Sequence, residues 1–126
     1  MKIAGIHHVS LNVGDVEAAR SFYVDVLGFT VMPSRPDFNF DGAWLHAGAN
    51  QVHLIGGAKN PPDRRQHFAL QVDDLSDWMD HLTTLDVPFR HAPRIMGAGD
   101  QLFLHDPSGN RIELNQPDVS QDTSTA

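Results

Sequence analysis

Apolar and polar residues alternate in two separate stretches of the chain. In the first stretch, Val9, Leu11 and Val13 alternate with His8, Ser10 and Asn12; in the second, Phe68, Leu70 and Val72 alternate with His67, Ala69 and Gln71. A period of two is typical of a half-buried strand, whose successive side chains point to opposite faces. The pattern therefore predicts two strands, and it places His8 and His67 on their polar faces.

A helical period follows each of these strands. Asp15 precedes the first run and Asp74 the second, so each aspartate is predicted to cap a helix N-terminus. The first run comprises Val16, Ala19, Phe22, Tyr23, Val26 and Leu27 and stops at Gly28; the second comprises Leu75, Trp78, Met79, Leu82 and Leu85. Each run predicts a helix with one apolar face.

Three short strand candidates follow each helix. They span residues 29–32, 43–46 and 51–55 in the first half, and residues 87–90, 101–105 and 110–115 in the second. Turn-forming Pro and Gly residues separate them. Each half thus has the order strand, helix, strand, strand, strand, which predicts an α+β protein built from two tandem βαβββ modules.

The two halves also repeat each other in sequence. HVSLNVGD begins at position 8 and HFALQVDD at position 67, while NQVHL begins at position 50 and NRIEL at position 110. The offsets of 59 and 60 residues indicate a tandem duplication. The repeat places metal-capable side chains at matched positions of the two halves: His8, His53, His67 and Glu113.

These four side chains have the chemistry and the facing of metal ligands. Imidazole and carboxylate groups bind borderline divalent metals. His53 and Glu113 each lie between two apolar residues of a strand, so both point away from the apolar face. If helices cover the apolar faces, a pseudo-twofold arrangement of the halves would bring all four together in one cup. The sequence therefore predicts a site for one divalent metal ion.

Length and hydrophobic content favour a single domain. A chain of 126 residues that is 40% hydrophobic can bury one sizeable core. We expect this domain to span residues 1–116, with modules 3–56 and 66–116 joined by the linker 57–65. Residues 117–126 are polar and are predicted to form a flexible tail.

Charge and composition exclude several partners. A net charge of -7 disfavours binding to nucleic acid. No stretch approaches the run of about 20 apolar residues that crosses a membrane, and no signal-peptide core follows Met1, so a cytoplasmic protein is expected. The chain contains no cysteine, so nitrogen and oxygen atoms must supply any metal ligands.

Several of these motifs resemble those of the vicinal oxygen chelate superfamily, which includes glyoxalase I, fosfomycin-resistance proteins, extradiol dioxygenases and bleomycin-resistance proteins. The segments that show this resemblance are IHHVSLNV from position 6, SFY from 21, LGF from 27, QVHL from 51, HFAL from 67 and DPSGNRIEL from 106. The resemblance covers residues 3–116. It implies paired βαβββ modules that form a cup-shaped mixed sheet with the helices on its outer face, a small-molecule substrate and a homodimer.

The resemblance also implies a ligand set, with one departure from the glyoxalase pattern. Metal would be bound at His8, His53, His67 and Glu113, with Ni, Zn, Co, Mn or Fe as the ion. Glyoxalase I usually has glutamate at the place of His53. Fosfomycin-resistance proteins and extradiol dioxygenases use two histidines and the last glutamate, which would leave His53 outside the ligand set. The cup is built from both modules of one chain or from modules of two chains.

Three function classes remain open. The first is a glyoxalase-like lyase or isomerase that acts on a substrate chelated through neighbouring oxygens, with Glu113 or His53 moving the proton. The second is a non-haem Fe(II) dioxygenase of the extradiol type. The third is a transferase or ligand-sequestering protein of the fosfomycin- or bleomycin-resistance type. Trp44, Phe38 and Phe103 are candidate substrate contacts.

Overall fold

The computed structural model describes residues 1–118. They form two compact units: residues 1–62 with 106–110, and residues 63–105 with the chain from 111 onward. Each unit contains one of the two repeated modules. The first unit also contains the five-residue loop that joins the last two strands of the second module.

The first unit holds one mixed sheet and one helical segment. Its elements are β1 (His8–Asn12), α1 (Val16–Ser21, continued by a π-helical turn over Phe22–Val26), β2 (Thr30–Val31), β3 (Gly42–Ala47) and β4 (Asn50–Ile55). The strand order is β1-β4-β3-β2. Strand β1 runs parallel to β4, and the other pairs are antiparallel.

Both predicted ends of the first helix are confirmed. The Asp15 carboxylate accepts a hydrogen bond from the Ala18 backbone N–H, as an N-cap does. Gly28 has a φ of 77°, a conformation that glycine adopts without steric cost, and its N–H bonds to the Val24 carbonyl. The π-helical turn before Gly28 was not predicted, because apolar spacing does not distinguish it from an α-helical turn.

A buried carboxylate organises the loop 106–110 within the first unit. Tyr23 Oη donates to Asp106 Oδ2 at 2.7 Å, and Asn110 Nδ2 donates to the same oxygen at 2.9 Å. The backbone N–H groups of Ser108 and Asn110 donate to Oδ1. Burial, followed by the Asp106 charge, raises the pKa of Tyr23 far above its usual range. Tyr23 therefore stays protonated and keeps its donor role.

The second unit repeats the architecture of the first. Its elements are β5 (His67–Gln71), α2 (Leu75–Thr84), β6 (Arg90–Ile95), β7 (Gly99–His105) and β8 (Arg111–Gln116). The strand order is β5-β8-β7-β6, with β5 parallel to β8. Asp74 caps α2 by accepting from the backbone N–H groups of Ser76 and Asp77, as predicted.

Two details of the second module were predicted wrongly. The strand expected over residues 87–90 begins only at Arg90, because the Val87 N–H closes the helix end on the Leu82 carbonyl and Pro88 has no N–H to donate. The strand then runs through Pro93, which an edge strand tolerates. Leu85 is 45% exposed, since it follows the last helical turn rather than joining the buried stripe.

The predicted tail begins differently from expectation. Asp118 is buried, and its carboxylate pairs with the Arg94 guanidinium and accepts from the Gly97 N–H. The hydrogen bond from the backbone N–H of Gly97, helped by the Arg94 charge, lowers the pKa of Asp118. Residues 119–126 of the predicted tail lie outside the described residues.

The fold class is confirmed: two mixed four-stranded sheets, each with one helical segment, form tandem βαβββ modules in an α+β protein. The central strands supply much of the core, since Val52 and Leu54 of β4 and Ile112 and Leu114 of β8 are at most 2% exposed. Within residues 1–118, no helix is long and apolar enough to cross a membrane.

Removing the Tyr23 hydroxyl should destabilise the fold. In Tyr23→Phe, the buried Asp106 carboxylate loses a donor that no water can replace, so the free energy of unfolding should fall by about 1–3 kcal/mol. Urea denaturation of both proteins measures this difference. Ser21→Ala, at an exposed position of the same helical segment, should stay within about 0.5 kcal/mol of the wild type. Equal stabilities for Tyr23→Phe and Ser21→Ala would contradict the role given to the buried carboxylate.

Candidate functional site

One metal-capable pair lies on the sheet of the second unit. His67 Nε2 is 3.0 Å from Glu113 Oε1, across the parallel strands β5 and β8. The His67 side chain is 32% exposed, whereas that of Glu113 is 7% exposed. A nearly buried carboxylate requires partners, because desolvation of an unpaired charge is costly.

Two amide groups hold the second oxygen of Glu113. Asn115 Nδ2 donates to Oε2 at 2.7 Å and Gln101 Nε2 donates to it at 3.2 Å. Asn115 follows Glu113 by two residues, so both share a face of β8, and Gln101 lies opposite Asn115 on β7. These bonds turn Oε1 toward His67 and leave it without an amide donor of its own.

The other nitrogen of His67 fixes the state of its ring. Nδ1 lies 2.8 Å from the Arg65 carbonyl oxygen, which can only accept, so Nδ1 carries a proton. In the neutral ring, the Nε2 lone pair then faces a carboxylate oxygen. Two acceptor atoms at this distance need a shared proton or a cation between them. A backbone carbonyl that orients a histidine in this way is typical of the surroundings of metal-binding histidines.

The spacing of the two atoms fits adjacent ligands of one ion. Ligand bonds of about 2.1 Å at a right angle place two donor atoms about 3.0 Å apart. Nε2 of His67 and Oε1 of Glu113 are 3.0 Å apart. This pair therefore has the donor types and the separation for two neighbouring positions around a divalent metal.

The second candidate pair lies on the sheet of the first unit. The rings of His8 and His53 stack with centroids 4.0 Å apart and planes 18° apart. Trp44 stacks on His53 at 4.3 Å and 9°. Trp44 and His53 are directly opposite on β3 and β4, so the tryptophan, His53 and His8 form a three-ring stack across this sheet.

His53 is the most constrained member of this stack. It is 8% exposed, and its Nε2 lies 2.9 Å from Gln51 Oε1, an acceptor, so Nε2 carries the proton and Nδ1 has the lone pair. Burial lowers the pKa of His53, and the nearby His8, His7 and Arg35 lower it further. The neutral ring is therefore the favoured form.

In the stacked arrangement, the ring nitrogens of His8 and His53 do not converge on one point, so one of the rings would have to turn for both to bind the same ion. An imidazole nitrogen binds a metal in the plane of its ring. Because the two rings lie face to face and only 18° from parallel, an ion in the plane of one ring lies outside the plane of the other at bonding distance. His8 is exposed and contacts His7 and His53, whereas His53 is enclosed by Trp44 and Gln51.

The structure thus brings the four predicted ligands together as two pairs, one in each unit. All four lie on the faces opposite the buried apolar residues, as the alternation indicated. Within residues 1–118, no group of three or more His, Asp or Glu side chains is arranged to hold a metal ion. The single four-ligand centre stays a prediction.

The three aromatic candidates lie near these pairs. Phe38 is 41% exposed, and its ring centroid is 6.0 Å from that of Trp44. Phe103 lies opposite Glu113 on β7, with its ring edge-on to His67 at 5.7 Å. Each pair is therefore flanked by at least one aromatic ring.

Several side chains that orient these groups were not identified from the sequence. Gln51, Gln101 and Asn115 share faces with the ligand candidates, so the period-two alternation could have selected them. Arg35 could not be found this way, because it lies outside the strands. Its guanidinium is 4.9 Å from the Phe38 ring centroid and 5.2 Å from that of Phe40.

Comparison with known proteins identifies the family. A profile of the Glyoxalase/Bleomycin resistance protein/Dioxygenase superfamily matches residues 5–114. The chain belongs to this superfamily, which confirms the resemblance noted in the sequence.

The chain is similar to members with different activities. It is 29% identical to a protein of Arabidopsis thaliana named Glyoxylase I 4, over 90% of this chain and 71% of that protein. It is also 29% identical to the metallothiol transferase FosB of Bacillus licheniformis, over 94% of this chain and 79% of that protein. The fold matches the fosfomycin-resistance protein FosX of Listeria monocytogenes, crystallised with Mn(II), with a TM-score of 0.82 at 17% identity over 98% and 99% of the two chains.

Proposed function

We propose that this protein is a divalent-metal-dependent enzyme of the glyoxalase type, a lyase or isomerase that acts on a small molecule chelated through neighbouring oxygens. The observation that carries the proposal is the His67 and Glu113 pair. Its imidazole nitrogen and carboxylate oxygen have the spacing of adjacent ligands, and both side chains are oriented through their other polar atoms.

His8, His67 and Glu113 would hold the metal. His8 is the exposed member of the first pair and can turn its ring toward an ion. The set is chemically consistent, since two imidazoles and one carboxylate suit Ni, Zn, Co, Mn or Fe. When bound, such an ion supplies Lewis-acid stabilisation of negative charge on the substrate oxygens. The FosX structure, which contains Mn(II), supports the choice of a divalent ion.

His53 would move the substrate proton. Its Nδ1 has a free lone pair because Gln51 engages Nε2, and stacking between Trp44 and His8 holds the ring in place. Glu113 is less suited to this role, since one of its oxygens accepts two amide hydrogen bonds and the other faces His67. Trp44, Phe38 and Phe103 would contact the apolar part of the substrate.

A second candidate function is supported by the composition of the same ligand set. Two histidines and one carboxylate are also the facial triad of non-haem Fe(II) oxygenases, and the stacked His53 stands outside that triad. An extradiol-type dioxygenase would contain iron and consume O₂ with its substrate. Iron in the purified protein, with O₂ uptake in the presence of a catechol, would replace the lyase proposal by this one.

A transferase is the third candidate. The observation that favours it is the similarity to FosB over 94% of this chain. A transferase would join a thiol to its substrate through a stable thioether, whereas a glyoxalase-type enzyme converts a hemithioacetal into a thioester. Both reactions consume free thiol, but hydroxylamine releases the thiol only from the thioester. Thiol that is lost during turnover and not recovered by hydroxylamine would therefore favour the transferase.

We further propose that the enzyme is a homodimer whose metal sites each combine a first module with a second module of the other copy. Each unit contributes one pair of candidate ligands, so a first module and a second module of the other copy would together supply both pairs. A twofold axis would supply two equivalent sites per dimer.

The first prediction concerns metal content. Wild-type protein purified without chelators or a histidine tag should contain about one divalent ion per chain. His67→Ala and Glu113→Gln should each retain less than about a tenth of it, because each removes a ligand. Elemental mass spectrometry measures this, and His91→Ala serves as control, since His91 is bonded to Asp100 outside both pairs. Wild-type metal content in both ligand variants would contradict the site.

The second prediction separates the roles of His53. His53→Gln should keep the metal but lower kcat by about 10²–10⁴-fold, the usual contribution of a general acid or base. The assay is turnover of the thiol adduct of methylglyoxal by protein loaded with Ni, Co, Zn or Mn. Loss of metal in this variant would show that His53 is a ligand. Absence of turnover by every loaded wild-type sample would contradict the glyoxalase-type reaction.

The third prediction tests the shared site. His8→Ala and Glu113→Gln should each be inactive, but a mixture unfolded and refolded together should regain activity. In a mixed dimer, one site receives both substitutions and the other receives neither, so about a quarter of all sites should be intact. Refolding each variant alone is the control. No recovery in the mixture, with mixed dimers confirmed by native mass spectrometry, would place the whole site within one chain.

A further inference from the structure

The second unit contains a cavity of about 610 Å³ with an unusual concentration of positive charge. Arg64, Arg90 and Arg111 line it, together with Phe103 and His105. Its lining includes no carboxylate. The chain has only nine Lys and Arg residues against sixteen Asp and Glu, so three arginines around one cavity do not follow from the composition.

Two of the three arginines, Arg90 and Arg111, contact an aromatic ring instead of an acid, and Arg111 Nη1 also donates to the Arg64 carbonyl at 3.5 Å. The Arg111 and Arg90 guanidinium carbons lie 4.1 Å and 5.1 Å from the ring centroid of Phe103, which is 9% exposed. Such contacts hold a guanidinium in place while its N–H groups remain available. In contrast to Arg20 and Arg94, none of the three arginines forms an ion pair with a residue in the range 1–118.

The carboxylate nearest to Arg111 along β8 already contacts other side chains. Glu113 is two residues from Arg111 on β8 and shares its face. Its oxygens contact His67, Gln101 and Asn115 rather than an arginine. Among residues 1–118, no carboxylate therefore pairs with the three arginines of the cavity.

The cavity adjoins the proposed metal ligands. Arg111 lies opposite His67 on β5 and opposite His105 on β7, while Phe103 lies opposite Glu113. Arg90 lies opposite Phe103 on the edge strand β6. Two residues along a strand span about 7 Å. A group held by Arg111 would thus lie one small-molecule length from Glu113.

We propose that Arg64, Arg90 and Arg111 form an oxyanion pocket that binds a carboxylate or phosphate-type group of the substrate. Guanidinium groups bind both kinds of oxyanion through paired N–H donors. As a substrate pocket, this assignment rests on the proposed metal site at His67 and Glu113. The substrate class is then a small acid that carries neighbouring oxygens for chelation in addition to its oxyanion. The cavity volume is that of a small-molecule site.

Anion binding by chelator-treated protein tests the pocket without the metal. Isothermal titration with inorganic phosphate, and separately with acetate, should show saturable binding to the wild type. The double variant Arg90→Gln/Arg111→Gln should bind the preferred anion at least tenfold more weakly. Arg111→Lys, which keeps the charge but loses the paired donors, should give an intermediate affinity.

Arg94→Gln is the matched control, because it removes the same charge from the same strand as Arg90 but from a residue that pairs with Asp118. Its affinity should stay within about twofold of the wild type. If the double variant does not fold, the single variant of the exposed Arg90 replaces it, with at least threefold weaker binding expected.

Each outcome bears on one of the two proposals. Equal affinity in the wild type and the arginine variants, or no binding of either anion, would overturn the oxyanion pocket. Stronger binding of phosphate or of acetate identifies the kind of acid. The arginine variants should keep the wild-type metal content. If His67→Ala keeps its metal while phosphate binding still depends on the arginines, the metal site fails and the pocket stands.

Discussion

The alternation of side chains along β4 and β8 is the constraint on which the site depends. Val52 and Leu54 in one strand and Ile112 and Leu114 in the other are almost fully buried, so the pairing register of both strands is fixed by the core. His53 and Glu113 lie between these residues and must point to the opposite face. A shift of one residue would bury the two polar groups in the core and expose the leucines. The apolar packing that stabilises each module therefore also determines where its chemistry can occur.

Two buried carboxylates of this protein differ in how their oxygens are satisfied. Both Asp106 oxygens accept hydrogen bonds within the first unit, from Tyr23, Asn110 and the loop backbone. Both carboxylate oxygens of Asp106 are therefore used in hydrogen bonds that stabilise the fold. Glu113 has amide donors on one oxygen only, and its other oxygen faces a histidine nitrogen. A buried acceptor directed at another acceptor is unfavourable unless a proton or a cation lies between them. That difference, rather than burial itself, is the reason for proposing Glu113 as a metal ligand.

Charge is distributed unevenly on this acidic protein. Arg20 and Arg94 are neutralised by carboxylates close by, whereas the arginines beside Phe103 are held by an aromatic face and keep their hydrogen-bonding edges. A positive cavity on a chain of net charge -7 attracts small anions selectively, since the rest of the surface repels them. The oxyanion pocket and the metal ligands on the neighbouring strand positions would together select a substrate with acid and chelating oxygens at a set separation.

The sequence by itself determined the modules, their order of elements, both N-caps and the face of each candidate ligand, because strand period, capping chemistry and internal repetition are local properties. The sequence-based prediction was wrong where contacts between distant residues compete with local propensity. The Val87 N–H bonds to the end of α2, so β6 begins later than predicted, and Asp118 forms a buried ion pair with Arg94. The stacking of His53 between His8 and Trp44, and the contact of Arg90 and Arg111 with Phe103, also depend on residues far apart in the chain. Only tertiary structure decides such arrangements, since they arise from packing between strands and not from the order of residues within one.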